Sequence, residues 1–175
     1  MFIIKRVREL AGTDRTAASG AEGELSYAAL EARSEALAAF LLAEYPGQSP
    51  LILWGDKQND ILCGILAALK TGRPYVMVPD YYPPARALQI AQSCEPCAVF
   101  SFSEKPYPAD GAPVYAPGEI GRIIPRYEGA AVDPELCVKP DGVVCIFYTS
   151  GSPGPPKGVM VTRRNTEAML DWCFP

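Results

Sequence analysis

Three short apolar runs, Leu51-Ile52-Leu53-Trp54, Tyr75-Val76-Met77-Val78 and Ala98-Val99-Phe100, each follow a stretch of helical periodicity. That order narrows the fold more than any other feature. A short apolar run without polar alternation reads as a strand covered on both faces. Helix and strand in strict succession imply right-handed crossovers and a mostly parallel sheet. The first helix is predicted from Ser26, whose hydroxyl can accept from a free N–H of the first turn. Tyr27, Leu30, Leu37 and Leu41 form its apolar stripe. Ser34 interrupts the stripe, and Glu31, Arg33 and Glu35 fall largely away from it. The helix should stop before Pro46-Gly47. A second, capped by Asn59 or Asp60, carries Ile61, Leu62, Ile65, Leu66 and Leu69 and ends at Thr71-Gly72, with the glycine in a left-handed cap. Pro83-Pro84 open a third helix through Leu88 and Ile90. The expected class is α/β, a mostly parallel sheet with helices on both faces.

Between Lys105 and Asp141 the alternation breaks. Seven prolines fall there, so residues 105–141 read mostly as loop, a connecting excursion with one short strand near Val114-Tyr115. Ile123, Ile124 and Tyr127 are apolar enough to pack. Regularity returns with Val143-Val144-Cys145-Ile146-Phe147-Tyr148, which reads as the strongest strand and as a buried one. A helix is expected from about Arg163–Thr166 into Met169-Leu170-Asp171-Trp172.

The composition removes several classes of function. At 49% hydrophobic over 175 residues the chain can bury a real core. A net charge of −4 comes without the Lys/Arg cluster of a non-specific nucleic-acid binder. The pair Arg163-Arg164 reads as a solvated helix start. No apolar stretch approaches the roughly 20 residues of a membrane span. The absence of histidine excludes histidine-based nucleophilic catalysis within this chain.

Six cysteines follow no secretory signal, because the charges of Met1-Phe2-Ile3-Ile4-Lys5-Arg6 come after a very short apolar run. Cys145 lies inside an apolar run. The several cysteines inside apolar runs therefore read as small buried hydrophobes, and a reducing cytoplasm is expected. Cys94-Glu95-Pro96-Cys97 has redox spacing, yet it follows a helical pattern and precedes a strand, the reverse of a redox motif. With no histidine and no second close cysteine pair, no metal site is predicted.

Directly after the strongest strand comes Thr149-Ser150-Gly151-Ser152-Pro153-Gly154-Pro155-Pro156-Lys157-Gly158. Gly151 and Gly154 permit backbone conformations that let N–H groups converge on an anion. Thr149, Ser150 and Ser152 add hydroxyl donors, and Lys157 adds a positive charge. Placed between a strand and an expected helix, this set reads as a polyphosphate cradle. The plainer reading is a polar turn with a solvated lysine. A Walker A loop is excluded, because Lys157 is preceded by Pro156 and followed by Gly158 rather than by Ser or Thr.

The segment Tyr148–Gly158 resembles the signature of the adenylate-forming, or AMP-binding, superfamily, which runs Thr-Ser-Gly-Ser/Thr-Thr-Gly-x-Pro-Lys-Gly-Val. The match falls on Thr149, Ser150, Gly151, Ser152, Gly154, Pro156, Lys157, Gly158 and Val159. Leu25-Ser26-Tyr27-Ala28-Ala29-Leu30 resembles the first element of that family. Leu69-Lys70-Thr71-Gly72-Arg73-Pro74-Tyr75-Val76-Met77-Val78-Pro79-Asp80 is similar to the second, extended by Pro83 and Arg86. The second element looks most like the D-alanine–carrier-protein ligases, with nonribosomal peptide synthetase adenylation domains close behind. Pro153 departs from the pattern by removing a hydroxyl and an N–H, and Pro155 adds stiffness.

The resemblance implies ATP- and magnesium-dependent activation of a carboxylate, such as D-alanine. The product is then passed to a carrier-protein thiol or to coenzyme A. It assigns Thr149, Ser150, Gly151, Ser152, Gly154 and Lys157 to the phosphates. The family's substrate pocket, magnesium-binding acid and catalytic lysine lie beyond the position of Pro175. Residues 1–175 are thus expected to be an incomplete N-terminal portion of the AMP-binding domain, inactive alone, with no complete catalytic set and with an exposed apolar face. The alternative is a degenerate, non-enzymatic homologue that serves as a binding module.

Overall fold

The computed structural model describes residues 1–108, 111–149 and 156–173. Helix α1 (Phe2–Ala11) and the antiparallel pair β1 (Thr16–Gly20) and β2 (Gly23–Ser26) precede helix α2 (Tyr27–Glu44). The Ser26 hydroxyl accepts from the Ala29 N–H at 3.1 Å and caps α2. Then follow β3 (Leu51–Trp54), α3 (Ile61–Lys70), β4 (Tyr75–Val78), α4 (Pro84–Cys94) and β5 (Ala98–Ser101). After them come β6 (Val114–Tyr115), α5 (Pro117–Arg126), a 3-10 turn at Pro134–Leu136, β7 (Val143–Thr149), β8 (Lys157–Thr162) and α6 (Arg163–Cys173).

Strands β3 to β8 make one sheet in the order β6-β5-β3-β4-β7-β8. All neighbours are parallel except β7 and β8, which are antiparallel. Successive side chains of a strand point to opposite faces. Leu51, Leu53, Ala98 and Phe100 thus enter one core with Leu37, Leu41, Leu66 and Ile120, under α1, α2, α3 and α5. Ile52, Trp54, Val76, Val78 and Val99 enter the other with Ala87, Ile90 and Ala91 of α4. Helices therefore cover both faces, and every residue of β3 is buried.

The chain leaves α3 through Gly72, which holds a left-handed φ of +74°. A Cβ there would lie 2.8 Å from both the Leu136 carbonyl oxygen and Gln48 Nε2. Left-handed backbone costs a non-glycine residue about 1–2 kcal/mol before any clash. Gly72→Ala is expected to lower unfolding stability by about 2 kcal/mol in urea titration. A loss below about 0.5 kcal/mol would contradict this reading of the turn.

Several features differ from the expectations. The 105–141 stretch contains α5 as well as the expected strand. Pro117 occupies the first helical position, where its missing N–H costs nothing. The Glu119 carboxylate accepts from the Ala116 N–H at 2.9 Å, and the apolar face of α5 lands Ile120 in the core. Helix α1 is a further element that buries only Ile4 and Val7, a short signal in the sequence. Strand β7 is buried only in part, with Phe147 53% exposed. Glu35, expected away from the apolar stripe, is buried, as is Ser34 within the stripe. Helix α2 is flanked by α1, α3 and α5, and Glu35 turns inward to two cations, Arg8 at 2.8 Å and Lys70 at 2.8 Å.

Cys94 packs in the core beneath α4, whereas Cys97 packs against the core on the opposite face of the sheet. The Cys-x-x-Cys pair is thus divided by the sheet, and both cysteines are free. Burial pushes the Cys94 thiol up to about 11 and the Cys63 thiol up to about 12, so both stay inert thiols at neutral pH. Among the described residues no helix is long and apolar enough to cross a membrane.

Candidate functional site

The glycine-rich segment connects β7 to β8. Thr149 faces Lys157 and Tyr148 faces Gly158 across the antiparallel pair. The glycine-rich segment therefore joins two antiparallel strands, and a strand follows it before any helix. Of the six predicted phosphate-binding residues, Thr149 and Lys157 flank it directly opposite one another. Ser150, Gly151, Ser152 and Gly154 lie outside the described residues, as does Pro153.

A strand follows the loop because Val159-Met160-Val161 favours extended backbone and can pair with β7. The expected helix begins at Arg163, within the expected Arg163–Thr166, after this additional strand. Asn165 Oδ1 accepts from the Thr162 N–H at 3.0 Å, and Thr162 Oγ1 accepts from the Asn165 N–H at 3.3 Å. This reciprocal cap is a signal in Thr162-x-x-Asn165 that sequence reasoning passed over. Arg163 is not a freely solvated residue. Its guanidinium bonds the Val138 carbonyl at 3.1 Å and the Glu167 carboxylate at 2.9 Å. Arg164 reaches Asp141 at 2.8 Å.

The base of the hairpin is tied to α4. Tyr148 Oη donates to Ser93 Oγ at 3.1 Å. Burial pushes the Tyr148 phenol up, so it remains a protonated donor. The Tyr148 side chain crosses the backbone of Gly158. A Cβ on Gly158 would meet Ile146 Cγ2 at 2.8 Å and the tyrosine Cζ at 3.2 Å. The glycine after Lys157 thereby permits the close packing of β8 against Ile146 and Tyr148. Arg86 Nη2, from the first turn of α4, donates to the Thr149 carbonyl at 2.6 Å.

Lys157 is exposed, and among the described residues no carboxylate lies within ion-pair distance of it. A lysine left without a carboxylate partner at the mouth of a hydroxyl- and glycine-rich turn is suited to an external anion. Asp80, at the end of the second motif, accepts from Ser103 Oγ at 2.6 Å and faces Lys105 at 3.5 Å, so it braces the segment after β5. Among the described residues there is no cluster of three or more metal-ligating side chains. Phe147, Val159 and Met160 on the hairpin and Met169 and Trp172 on α6 form exposed apolar surface, with Trp172 82% exposed.

Comparison with known proteins fits this geometry. The model of the AMP-binding enzyme family matches residues 6–174. The D-alanine–D-alanyl carrier protein ligase of Listeria monocytogenes serotype 4b (strain F2365) is 33% identical over 152 residues, covering 85% of this chain and 30% of that protein. Holo-PA1221, a nonribosomal peptide synthetase protein with adenylation and PCP domains, aligns with a TM-score of 0.75 and 25% identity, over 92% of this chain and 28% of that one. VinN in complex with L-aspartate shares the fold at a TM-score of 0.79 and 18% identity, over 97% of this chain and 50% of that one. The chain thus spans about a third of the length of the curated relatives it matches. With the signature loop on the hairpin between β7 and β8 and the family match running almost end to end, the chain belongs to the AMP-binding enzymes.

Proposed function

We propose that this chain supplies the phosphate-gripping wall of an enzyme that adenylates a carboxylate with ATP, an amino acid such as D-alanine, and passes it to a carrier-protein thiol. One observation carries the reading: Thr149 and Lys157 face each other at the base of a donor-rich hairpin tip. The donor set fits a polyphosphate, since it combines hydroxyls, glycine N–H groups and one cation that no described carboxylate neutralises.

In the reaction a carboxylate oxygen attacks the α-phosphorus of ATP. The bond from that phosphorus to the bridging oxygen breaks, and pyrophosphate leaves with the electron pair. Thr149, Ser150, Ser152, Lys157 and the N–H groups around Gly151 and Gly154 hold the β- and γ-phosphates. They stabilise charge that grows on the leaving group, which lowers the barrier. Magnesium, when bound with ATP, supplies further neutralisation of the phosphates, and no residue of this chain is assigned to it.

The D-alanine and carrier-protein part of the proposal draws on the relatives named above and on the second motif, Leu69–Asp80. Residues 1–175 are taken as an incomplete N-terminal portion of the domain, with 105–141 as a connecting excursion carrying α5. The chain alone is expected to show no carboxylate-dependent exchange of labelled pyrophosphate into ATP. Exchange is expected when the chain replaces the matching segment of the Listeria ligase and D-alanine is supplied. A folded hybrid that neither exchanges nor binds pyrophosphate would overturn the proposal in favour of a non-enzymatic homologue, whose signature is Pro153.

A further inference from the structure

We propose that Arg86 is a positioning residue for the phosphate loop, acting with Ser93 to pin the base of the β7–β8 hairpin to α4. The proposal rests on the phosphate-binding reading of that loop and adds a residue outside it.

Two contacts from one helix meet consecutive residues where β7 ends. Ser93, in the last turn of α4, accepts from Tyr148 Oη at 3.1 Å. Arg86, in the first turn, donates to the Thr149 carbonyl at 2.6 Å. Anchors at the two ends of a rigid helix fix both the position and the direction of the strand end. Tyr148 in turn lies against Gly158, the residue after Lys157, so the same clasp reaches the other side of the hairpin.

The choice of a carbonyl as the target has a chemical consequence. An anion is held by N–H groups and repelled by carbonyl oxygens. The Arg86 guanidinium takes up the Thr149 carbonyl oxygen and holds it on the α4 side. Among the described residues no carboxylate lies within ion-pair distance of Arg86. Among the described residues its guanidinium makes one hydrogen bond, to the Thr149 carbonyl.

The test uses the 175-residue chain, inorganic pyrophosphate with magnesium as probe, and the variants Arg86→Met and Arg86→Lys. Arg86→Met is expected to weaken pyrophosphate binding about tenfold, in line with loss of a hydrogen bond from a charged donor. Without pyrophosphate, amide hydrogen exchange should quicken in peptides spanning 143–162 and stay unchanged in α2 and α3. Arg86→Lys, which keeps a donor, should restore part of both. The dependence of binding on salt should keep its slope in Arg86→Met. Weaker binding with unchanged exchange and a shallower salt slope would mean that Arg86 touches the phosphate directly, and would overturn the positioning role. So would unchanged exchange together with unchanged affinity. If the unsubstituted chain binds no pyrophosphate, the phosphate-loop reading fails, while the exchange arm still decides whether Arg86 holds the hairpin.

Discussion

Lys70→Met is expected to destabilise the chain by about 3–5 kcal/mol at neutral pH, the cost typical of removing one partner from a buried ionic cluster. Lys70 is only 2% exposed, and its ammonium contacts Glu31 at 2.8 Å, Ser34 Oγ at 2.9 Å and Glu35 at 2.8 Å. Arg8 joins from α1, reaching Glu31 at 3.0 Å and Glu35 at 2.8 Å. Glu35 also accepts from the Val132 N–H at 2.7 Å. The cluster thereby ties α1, α2, α3 and the segment after α5 together. Methionine has nearly the volume of lysine and no charge, so the variant leaves two carboxylates side by side with Arg8 as their remaining cation.

The pH dependence separates this account from a simple packing loss. Burial pushes the Glu35 carboxyl up, but hydrogen bonds from Lys70, Arg8 and Val132 outweigh it and leave the group at about 2. A carboxyl lowered on folding adds stability that is fully present above its ordinary value of 4.5. That stability is lost as pH falls through about 2. Without the Lys70 ammonium one of the groups that lower it is gone, and Glu35 takes up its proton at higher pH. The deficit of Lys70→Met should therefore be largest near pH 7 and narrow towards pH 4. Urea unfolding at the two pH values measures this. A deficit that does not change with pH would assign the loss to packing alone.

Lys157→Ala is expected to weaken pyrophosphate binding by about 10- to 100-fold, since a charge-assisted hydrogen bond contributes about 1.5–3 kcal/mol. Its effect on stability should be small, because the side chain is exposed and among the described residues no carboxylate pairs with it. The effect should also shrink as salt rises, since the lost interaction is that of an exposed charge. Calorimetric titration with and without added salt distinguishes these outcomes. Equal affinity of the variant and the unsubstituted chain would remove Lys157 from the phosphate site.

The strands of the parallel sheet were legible because each is a short apolar run with a helical pattern before it. Leu51–Trp54 is the plainest case, buried at every residue. Ser26 and Gly72 were legible as caps because their chemistry is local: a hydroxyl within reach of an N–H, and a backbone free to take positive φ. Glu35 was not legible, since a carboxylate reads as solvent-facing until Arg8 and Lys70, 27 and 35 positions away in the chain, are brought to it. The same holds for Arg86, whose partner is a backbone carbonyl 63 residues on. Helix α5 was hidden by Pro117 and Pro125, which read as breakers although one opens the helix and the other lies in its last turn. At the candidate site, the residue types were plain in Thr149–Gly158, but the hairpin geometry was not. Whether a strand or a helix follows a glycine-rich turn depends on whether β7 has a free edge to pair with, and that is a property of the sheet order.

The most direct test of the account is a titration of the isotopically labelled chain with ATP, followed by amide NMR. Shifts are expected to concentrate on the N–H groups from Thr149 to Val159, with Lys157→Ala weakening the response at those same residues. Shifts centred on another part of the chain, or none at millimolar ATP, would contradict the claim that this hairpin tip holds phosphate.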